Sequence, residues 1–273
     1  MGTDGGAKPF LKWVGGKRSL LPQLLPHVPE RFGTYHEPFL GGAALFFHLA
    51  RTRPPFRARL SDTNERLVRT YLAVRDRVEE VIVLLASYPH DPEFFAELRA
   101  RDIDDRSDVE VAAWLVYLNH TGYNGLYRVN SRNRFNVPFG AYARPRYCNP
   151  ALLRAASRAL ASAHIEAGGF ERVAARARRG DFVYFDPPYV PLTATSAFTA
   201  YTRDGFGHDA QQRLRDVARA LKGRGVRVLL SNSSAPAVHE LYRDGFELVT
   251  IGARRAVSCR ADGRGPIAEL IIR

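Results

Sequence analysis

The sequence predicts an α/β protein: a Rossmann-like, mainly parallel sheet carrying an inserted helical lobe. Three observations lead there. The apolar run Phe182–Phe185 has the length and composition of a strand buried on both faces, and Asp186-Pro187-Pro188-Tyr189 stops it at once. Residues 35–50 read as a short strand ending near Pro38, a Gly41-Gly42 turn and an apolar helix, the order found at nucleotide sites in such sheets. Residues 64–119 then carry helical spacing with no strand between them.

A chain of 273 residues suffices for one large domain or a domain with an insertion. At 45% hydrophobic and 25% charged the composition is globular, and no stretch reaches the length of a membrane span. Residues 1–7 are Gly-rich without an apolar segment, so no secretory signal is read there. Cys148 and Cys259 are too few for a disulfide framework or a zinc site, and no His/Cys spacing suggests a metal. A reducing, cytoplasmic setting is expected. The net charge of +12 favours a polyanionic partner, most simply nucleic acid. Arg greatly outnumbers Lys, and Arg-rich chains also arise from genomic base composition.

The elements follow in order. Residues 8–17, KPFLKWVGGK, set an aromatic, a Trp and lysines around a Gly pair suited to close approach of a ligand, without phosphate-loop spacing; a plain turn is the alternative. The Gly41-Gly42 turn lacks the G-x-G-x-x-G pattern, so a smaller adenosine-containing ligand fits better than a dinucleotide. Residues 59–62 read as a second strand. Asp62 ends it about 20 residues beyond the turn, where a ribose diol is bound; capping of a helix starting near Asn64 is the alternative. In the helical stretch Leu67, Tyr71, Leu72, Val78, Val81 and Leu85 repeat at near-helical spacing, Pro89 and Pro92 break it, and helices resume at 94–101 and 109–118. The acidic run 102–108 reads as a solvated loop. Residues 120–148 contain no acid: Arg128, Arg132, Arg134, Arg144 and Arg146 interleave with Tyr123, Tyr127, Phe135, Phe139, Tyr142 and Tyr147. A hairpin or ordered loop is expected, with Arg forks and exposed rings for base edges and base stacks; rings packed back on the core are the alternative. Helices follow at 150–163, 173–179 and from Asp209, the last with Leu214, Val217, Ala218 and Leu221 on one face. Strands are expected at 165–170, 226–232, 246–251 and 267–272, a mobile loop over the site at 190–202, and an exposed basic loop at 254–264.

The turn at 186–189 stands at the carboxyl end of a strand, where open sheets place their chemistry. The Asp186 carboxylate and the Pro187 carbonyl can each accept one N–H of an exocyclic ring amine. That leaves the nitrogen more pyramidal and more nucleophilic, with Tyr189 stacked on the ring. A base held so has to be flipped out of its duplex. A proline turn with a helix-capping Asp is the plain alternative.

The order of these parts resembles the Dam-type DNA adenine-N6 methyltransferase family of bacteria, the D12 class among the α-group amino methyltransferases. The matching residues are Phe10-Leu11-Lys12-Trp13 with Gly15-Gly16-Lys17, Glu37-Pro38-Phe39 with Gly41, Asp62, Tyr123-Asn124-Gly125-Leu126, the FNVPFG stretch at 135–140, and DPPYVPLTATSAFTAY at 186–201. The resemblance implies an S-adenosylmethionine-dependent enzyme methylating adenine N6 in double-stranded DNA, typically within GATC. It implies a Rossmann-like catalytic domain, 1–63 and 150–273, with a helical target-recognition insert, 64–149; a metal-free monomer, cytoplasmic and nucleoid-associated through DNA, is the accompanying expectation. Residue by residue, it implies a cofactor pocket of Trp13, Lys17, Glu37, Pro38, Phe39, Gly41 and Asp62, with Phe170, Phe185 and Asp186. Asp186, Pro187 and Tyr189 are implied to hold the extruded adenine. Lys12, Leu126, Arg128, Pro138 and Tyr142 are implied to read bases, Tyr123 to fill the gap opposite the extruded adenine, and Asn124 to assist there. The chain departs from the family pattern at Ala43, where a second glycine is usual, and at Gly169, where an acid often precedes the aromatic. An RNA adenine or protein glutamine methyltransferase often carries Asn where Asp186 stands. A catalytically inactive DNA reader on the same fold would be separated from an enzyme by cofactor binding.

Overall fold

The computed structural model describes residues 6–190, 206–254 and 266–273. In chain order the elements are α1 (Leu21–Leu24), β1 (Thr34–Glu37), α2 (Ala44–Thr52), β2 (Arg57–Asp62), α3 (Glu65–Asp76), α4 (Val78–Ser87), α5 (Pro92–Ala100), α6 (Asp108–Thr121), α7 (Pro150–Leu160), β3 (Ala163–Ala167), α8 (Val173–Arg176), β4 (Phe182–Phe185), α9 (His208–Gly223), β5 (Arg227–Ser233), α10 (Pro236–Tyr242), β6 (Leu248–Arg254) and β7 (Pro266–Ile272). No helix among the described residues is long and apolar enough to cross a membrane. The expected loops at 190–202 and 254–264 fall almost wholly outside the described residues. The contacts group the chain into two units, one comprising residues up to 16, 41–56 and 62–167, the other residues 17–40, 57–61 and 168–273.

In the second unit six strands run in the order β2-β1-β4-β5-β7-β6. The first four are mutually parallel, while β7 is antiparallel to both β5 and β6. All four residues of β4 are buried, as a strand covered on both faces requires. Its Val183 and Phe185 join Leu214, Ala218 and Leu221 of α9, Leu230 of β5, Val238 and Tyr242 of α10, and Leu270 and Ile272 of β7 in one apolar core. The face expected for α9 is thus the buried one, and Val217 packs at its margin. Helix α10 has no signal in the periodicity; Pro236 opens it, where a missing N–H has no consequence.

The first unit is built around α6. Eleven of its fourteen residues are buried, Trp114, Leu115 and Tyr117 among them, so it is apolar all round and sits inside the lobe. A reciprocal capping box starts it: Ser107 Oγ accepts from the Glu110 N–H, and Glu110 Oε2 from the Ser107 N–H. Two sequence expectations change here. Pro92 does not break a helix but opens α5, with Asp91 capping it. The acids at 102–108 are not merely solvated. Asp104 accepts two bonds from Arg66, while Asp108 accepts a single bond from Arg69 and Asp102 a single bond from Arg134. The Arg66 stem and guanidinium are buried against Trp114, and a charge there requires a counter-ion.

Candidate active site and nucleic-acid interface

In the second unit the parallel strands end where their chemistry is expected. Asp186 follows β4 directly. Its Oδ1 is 2.7 Å from the Lys17 ammonium and accepts from Ser231 Oγ of β5 at 2.9 Å. The Ser231 and Tyr184 hydroxyls are 3.0 Å apart. The carboxylate is therefore not open, as the sequence suggested, but ion-paired by Lys17. Burial pushes the Asp186 carboxyl above its ordinary range, with Lys17 and Ser231 pulling it back. The same ammonium lies 4.4 Å from the centroid of the Tyr189 ring. Tyr189 donates to Glu269 Oε2 of β7 at 2.7 Å. Burial raises the Glu269 carboxyl, and burial followed by the nearby carboxylates holds the Tyr189 hydroxyl well above its usual range.

The proline turn is clamped from α9 and β5. Gln211 Nε2 donates to the Pro188 carbonyl, Asn232 Nδ2 to Gln211 Oε1, and the Val190 N–H to Asn232 Oδ1. Ser233 Oγ donates to the Val190 carbonyl. Pro187 is buried within this frame. Glu37, at the end of β1, is buried and accepts from the Tyr35 hydroxyl at 2.9 Å. Pro38 is buried beside it. Phe39 stacks on Phe170 at 5.4 Å between centroids and meets Phe206 and Phe185 edge-on. Phe185 itself is fully buried in the core, so it backs the Phe39 ring from within. Ser231, Glu269, Gln211 and Asn232 were not singled out from sequence; they lie 23 to 80 residues from the groups they hold, as the bond separations show.

The first unit holds the other predicted residues. Gly41 has φ of +46°, and a Cβ there would stand 2.9 Å from the Trp13 ring. Its N–H donates to Asp62 Oδ2 and its carbonyl accepts from the Tyr71 hydroxyl. Asp62 Oδ1 accepts from the Asn64 N–H, and the N-cap of α3 is Asn64, whose side chain accepts from Leu67. The helix-capping alternative for Asp62 is thereby set aside: it braces the glycine turn. Burial raises its carboxyl against three amide bonds. Trp13 stacks on Tyr127 at 5.4 Å. Ala43 takes the left-handed conformation, φ +52°, where the sequence departs from a glycine.

Lys12 runs across Gly125: φ there is +63°, and a Cβ would lie 2.5 Å from Lys12 Cδ. Buried Asn119 ties the two segments. Its Oδ1 accepts from the Lys12 N–H at 2.7 Å, and its Nδ2 donates to the carbonyls of Lys12 and Gly125. The Lys12 ammonium stands 4.3 Å from the Tyr142 ring centroid. Asn124 has positive φ, and the Tyr123 N–H donates to the Pro138 carbonyl. Tyr123 is 47% exposed, whereas Tyr127 and Phe135 are buried, against the expectation of exposed rings. Phe135 meets Trp114 edge-on and Phe139 meets Phe95, so burial of apolar area decides their placement. Leu126 is half-buried; Pro138 and Arg128 are exposed, and Arg128 Nε donates to Asn136 Oδ1 at 2.7 Å.

Comparison with known proteins identifies the family. Residues 13–257 match the family model described as D12 class N6 adenine-specific DNA methyltransferase. The type II methyltransferase M1.LlaDCHI of Lactococcus lactis subsp. cremoris is 44% identical, the alignment covering 97% of this chain and 94% of that protein. The type II methyltransferase M.MjaIII of Methanocaldococcus jannaschii is 37% identical, over 97% and 98%. The DNA adenine methylase of Escherichia coli K12 is 33% identical, over 96% and 93%. The chain belongs to the D12 class of N6 adenine-specific DNA methyltransferases.

Proposed function

We propose that this enzyme transfers the methyl group of S-adenosylmethionine to N6 of an adenine flipped out of double-stranded DNA, within a GATC-like site. The observation that carries the reading is the Asp186 carboxylate, held by Ser231 beside the Tyr189 ring at the end of β4. Residues 64–149 are the target-recognition insert on this reading, and 1–63 with 150–273 the catalytic domain.

The residues fit the cofactor. Its cationic groups suit buried Glu37 and half-buried Asp186, and a flat ring suits the margin of the Phe39 and Phe170 stack. At Gly41 the space that a Cβ would need is taken by the Trp13 ring, so the turn itself holds that ring in place. Trp13, Lys17, Glu37, Pro38, Phe39, Gly41, Asp62 and Phe170 would hold it, with Asp62 on the ribose. When bound, S-adenosylmethionine supplies an electrophilic methyl group on a sulfonium.

The chain's own part is positioning and electrostatics. Asp186 and the Pro187 carbonyl each accept one N–H of the adenine amine, withdrawing its lone pair from the ring, while Tyr189 stacks on the base. For Asp186 to accept, Lys17 gives up part of its hold on the carboxylate, and Glu269 lies near enough to retain that charge. Lys12, Leu126, Arg128, Pro138 and Tyr142 read bases. Exposed Tyr123 fills the space left in the stack, with Asn124 shaping its turn.

The test is incubation with labelled S-adenosylmethionine and two duplexes, one containing GATC and one with the site scrambled. Label on the first alone is expected. Label on both would remove the assigned site while leaving the chemistry, and label on neither with DNA bound would leave a reader without transfer.

A further inference from the structure

The opposite edge of the same parallel strands carries a different chemistry. Where β1, β2, β4 and β5 begin, the second unit presents Arg31, Arg57, Arg59, Arg178, Arg179, Arg224 and Arg227, all exposed. The register aligns them. Arg57 pairs with Thr34 at the start of β1, and Arg227 with Phe182 at the start of β4. From β2 to β5 there are three strand steps, about 14 Å in all.

This edge is ordered. The Gly33 N–H donates to the Gly180 carbonyl, the Gly180 N–H to the Gly225 carbonyl and the Arg227 N–H to the Asp181 carbonyl, so three loops are stitched in a row. The Arg179 stem lies on Gly225, within 3.1 Å of where a Cβ would stand. The acids of this edge are Glu30 and Asp181. Asp181 is turned inward, accepting from the backbone of Thr34 and Arg178 and paired with His36 at 3.2 Å. Arg178 and Arg224 are partly spent on the carbonyls of Ala175 and Ala174. The side chains of Arg31, Arg57, Arg59, Arg179 and Arg227 have no hydrogen bond or ion pair among the described residues. Elsewhere in the chain surface arginines are commonly matched, as Arg77 is by Glu80, Arg154 by Glu79 and Arg273 by Glu247.

We infer that this arginine edge is a second phosphate-binding surface, occupied by duplex DNA away from the site being methylated. Four residues of β4 separate the edge from Asp186, about 13 Å of strand, so these guanidiniums do not touch the reacting base. A phosphate row is the partner that a line of unmatched, rigidly based guanidiniums fits, and it gives no sequence preference. The enzyme would therefore hold a second stretch of a long DNA while working on the first. The inference is independent of which sequence is methylated.

The experiment compares wild type with the triple variant Arg57→Gln, Arg179→Gln, Arg227→Gln. Binding to a long duplex lacking the target site is measured across salt concentrations, and single-turnover methylation is measured on a duplex of about one helical turn carrying it. The expected result is a log–log salt slope shallower by about 0.9 for each arginine, roughly 2.7 in total, with methylation of the short duplex unchanged. An unchanged slope overturns the inference. So does equal loss of short-duplex methylation, which would place the arginines at the working site or in the fold. Competition by single-stranded RNA as effective as by duplex DNA would overturn the assigned occupant.

Discussion

The turn at 186–189 and the turn at 123–126 are both short, and both are assigned to DNA, but they are held by different forces. The first is set in charge: Lys17 against Asp186, with Ser231 and Glu269 holding the carboxylate and the Tyr189 hydroxyl. The second is set in neutral geometry: Asn119 bonded to three backbone groups and Lys12 fitted over a glycine with no Cβ. A charged frame can exchange one partner for an incoming amine. A steric frame keeps its shape, as suits the reading of a fixed pattern of base edges.

Removing the charge is expected to have the largest effect. Asp186→Ala should lower transfer by on the order of 10²–10³-fold or more, with DNA affinity largely kept; near-normal single-turnover transfer would break the comparison on its charged side. On the neutral side, Asn119→Ala leaves backbone groups of Lys12 and Gly125 without partners in a buried place. A loss of about 3 kcal/mol in urea unfolding is expected, with weakened DNA binding, and a loss under about 1 kcal/mol would show that the turn stands without it. Arg128→Ala should relax preference at one base by about 1–3 kcal/mol; an unchanged preference among single-substituted sites would show that Arg128 stays with Asn136.

Lys17→Gln sharpens the contrast through pH. Burial already raises the Asp186 carboxyl, and Lys17 opposes that. Without the ammonium the carboxyl rises further, so the acid limb of the rate profile should move to higher pH. Because the folded carboxyl is then raised above its unfolded value, the variant's stability relative to wild type should fall as pH rises through that folded value. A limb that stays put, read from rates across the acid range, would remove Lys17 from the account. The smallest effect is expected for Ala43→Gly. Relief of left-handed strain, about 1–2 kcal/mol, is offset by about 0.4–1 of chain entropy and about 0.8 for the lost methyl burial. Thermal melting should place the variant within about 1 kcal/mol of the parent.

The charged frame was only half legible in the chain. Four apolar residues before two prolines announced β4 and its turn, because burial on both faces and the missing N–H groups are local properties. Glu269 and Ser231 are not local: nothing in the spacing says that antiparallel β7 brings an acid beneath Tyr189. The family resemblance implies Lys17 only as a cofactor contact, and its pairing with Asp186 depends on tertiary placement. In the 120–148 segment the acid-free pattern marked the region, but Tyr127 and Phe135 turn inward because an aromatic ring loses more by exposure than a loop gains by offering it. Asn119 reads as one more polar residue near the end of α6, and only the crossing of residue 12 over residue 125 gives it a task.

The central claim is that the target adenine leaves the duplex to reach Asp186. It is met most directly by comparing wild-type affinity for two duplexes, one with the target adenine paired to thymine and one with it mispaired. A mispaired base has already lost part of the unpairing energy, of order a few kcal/mol. The account predicts binding tighter by roughly tenfold or more for the mispaired duplex. Equal or weaker binding there would contradict extrusion of the base.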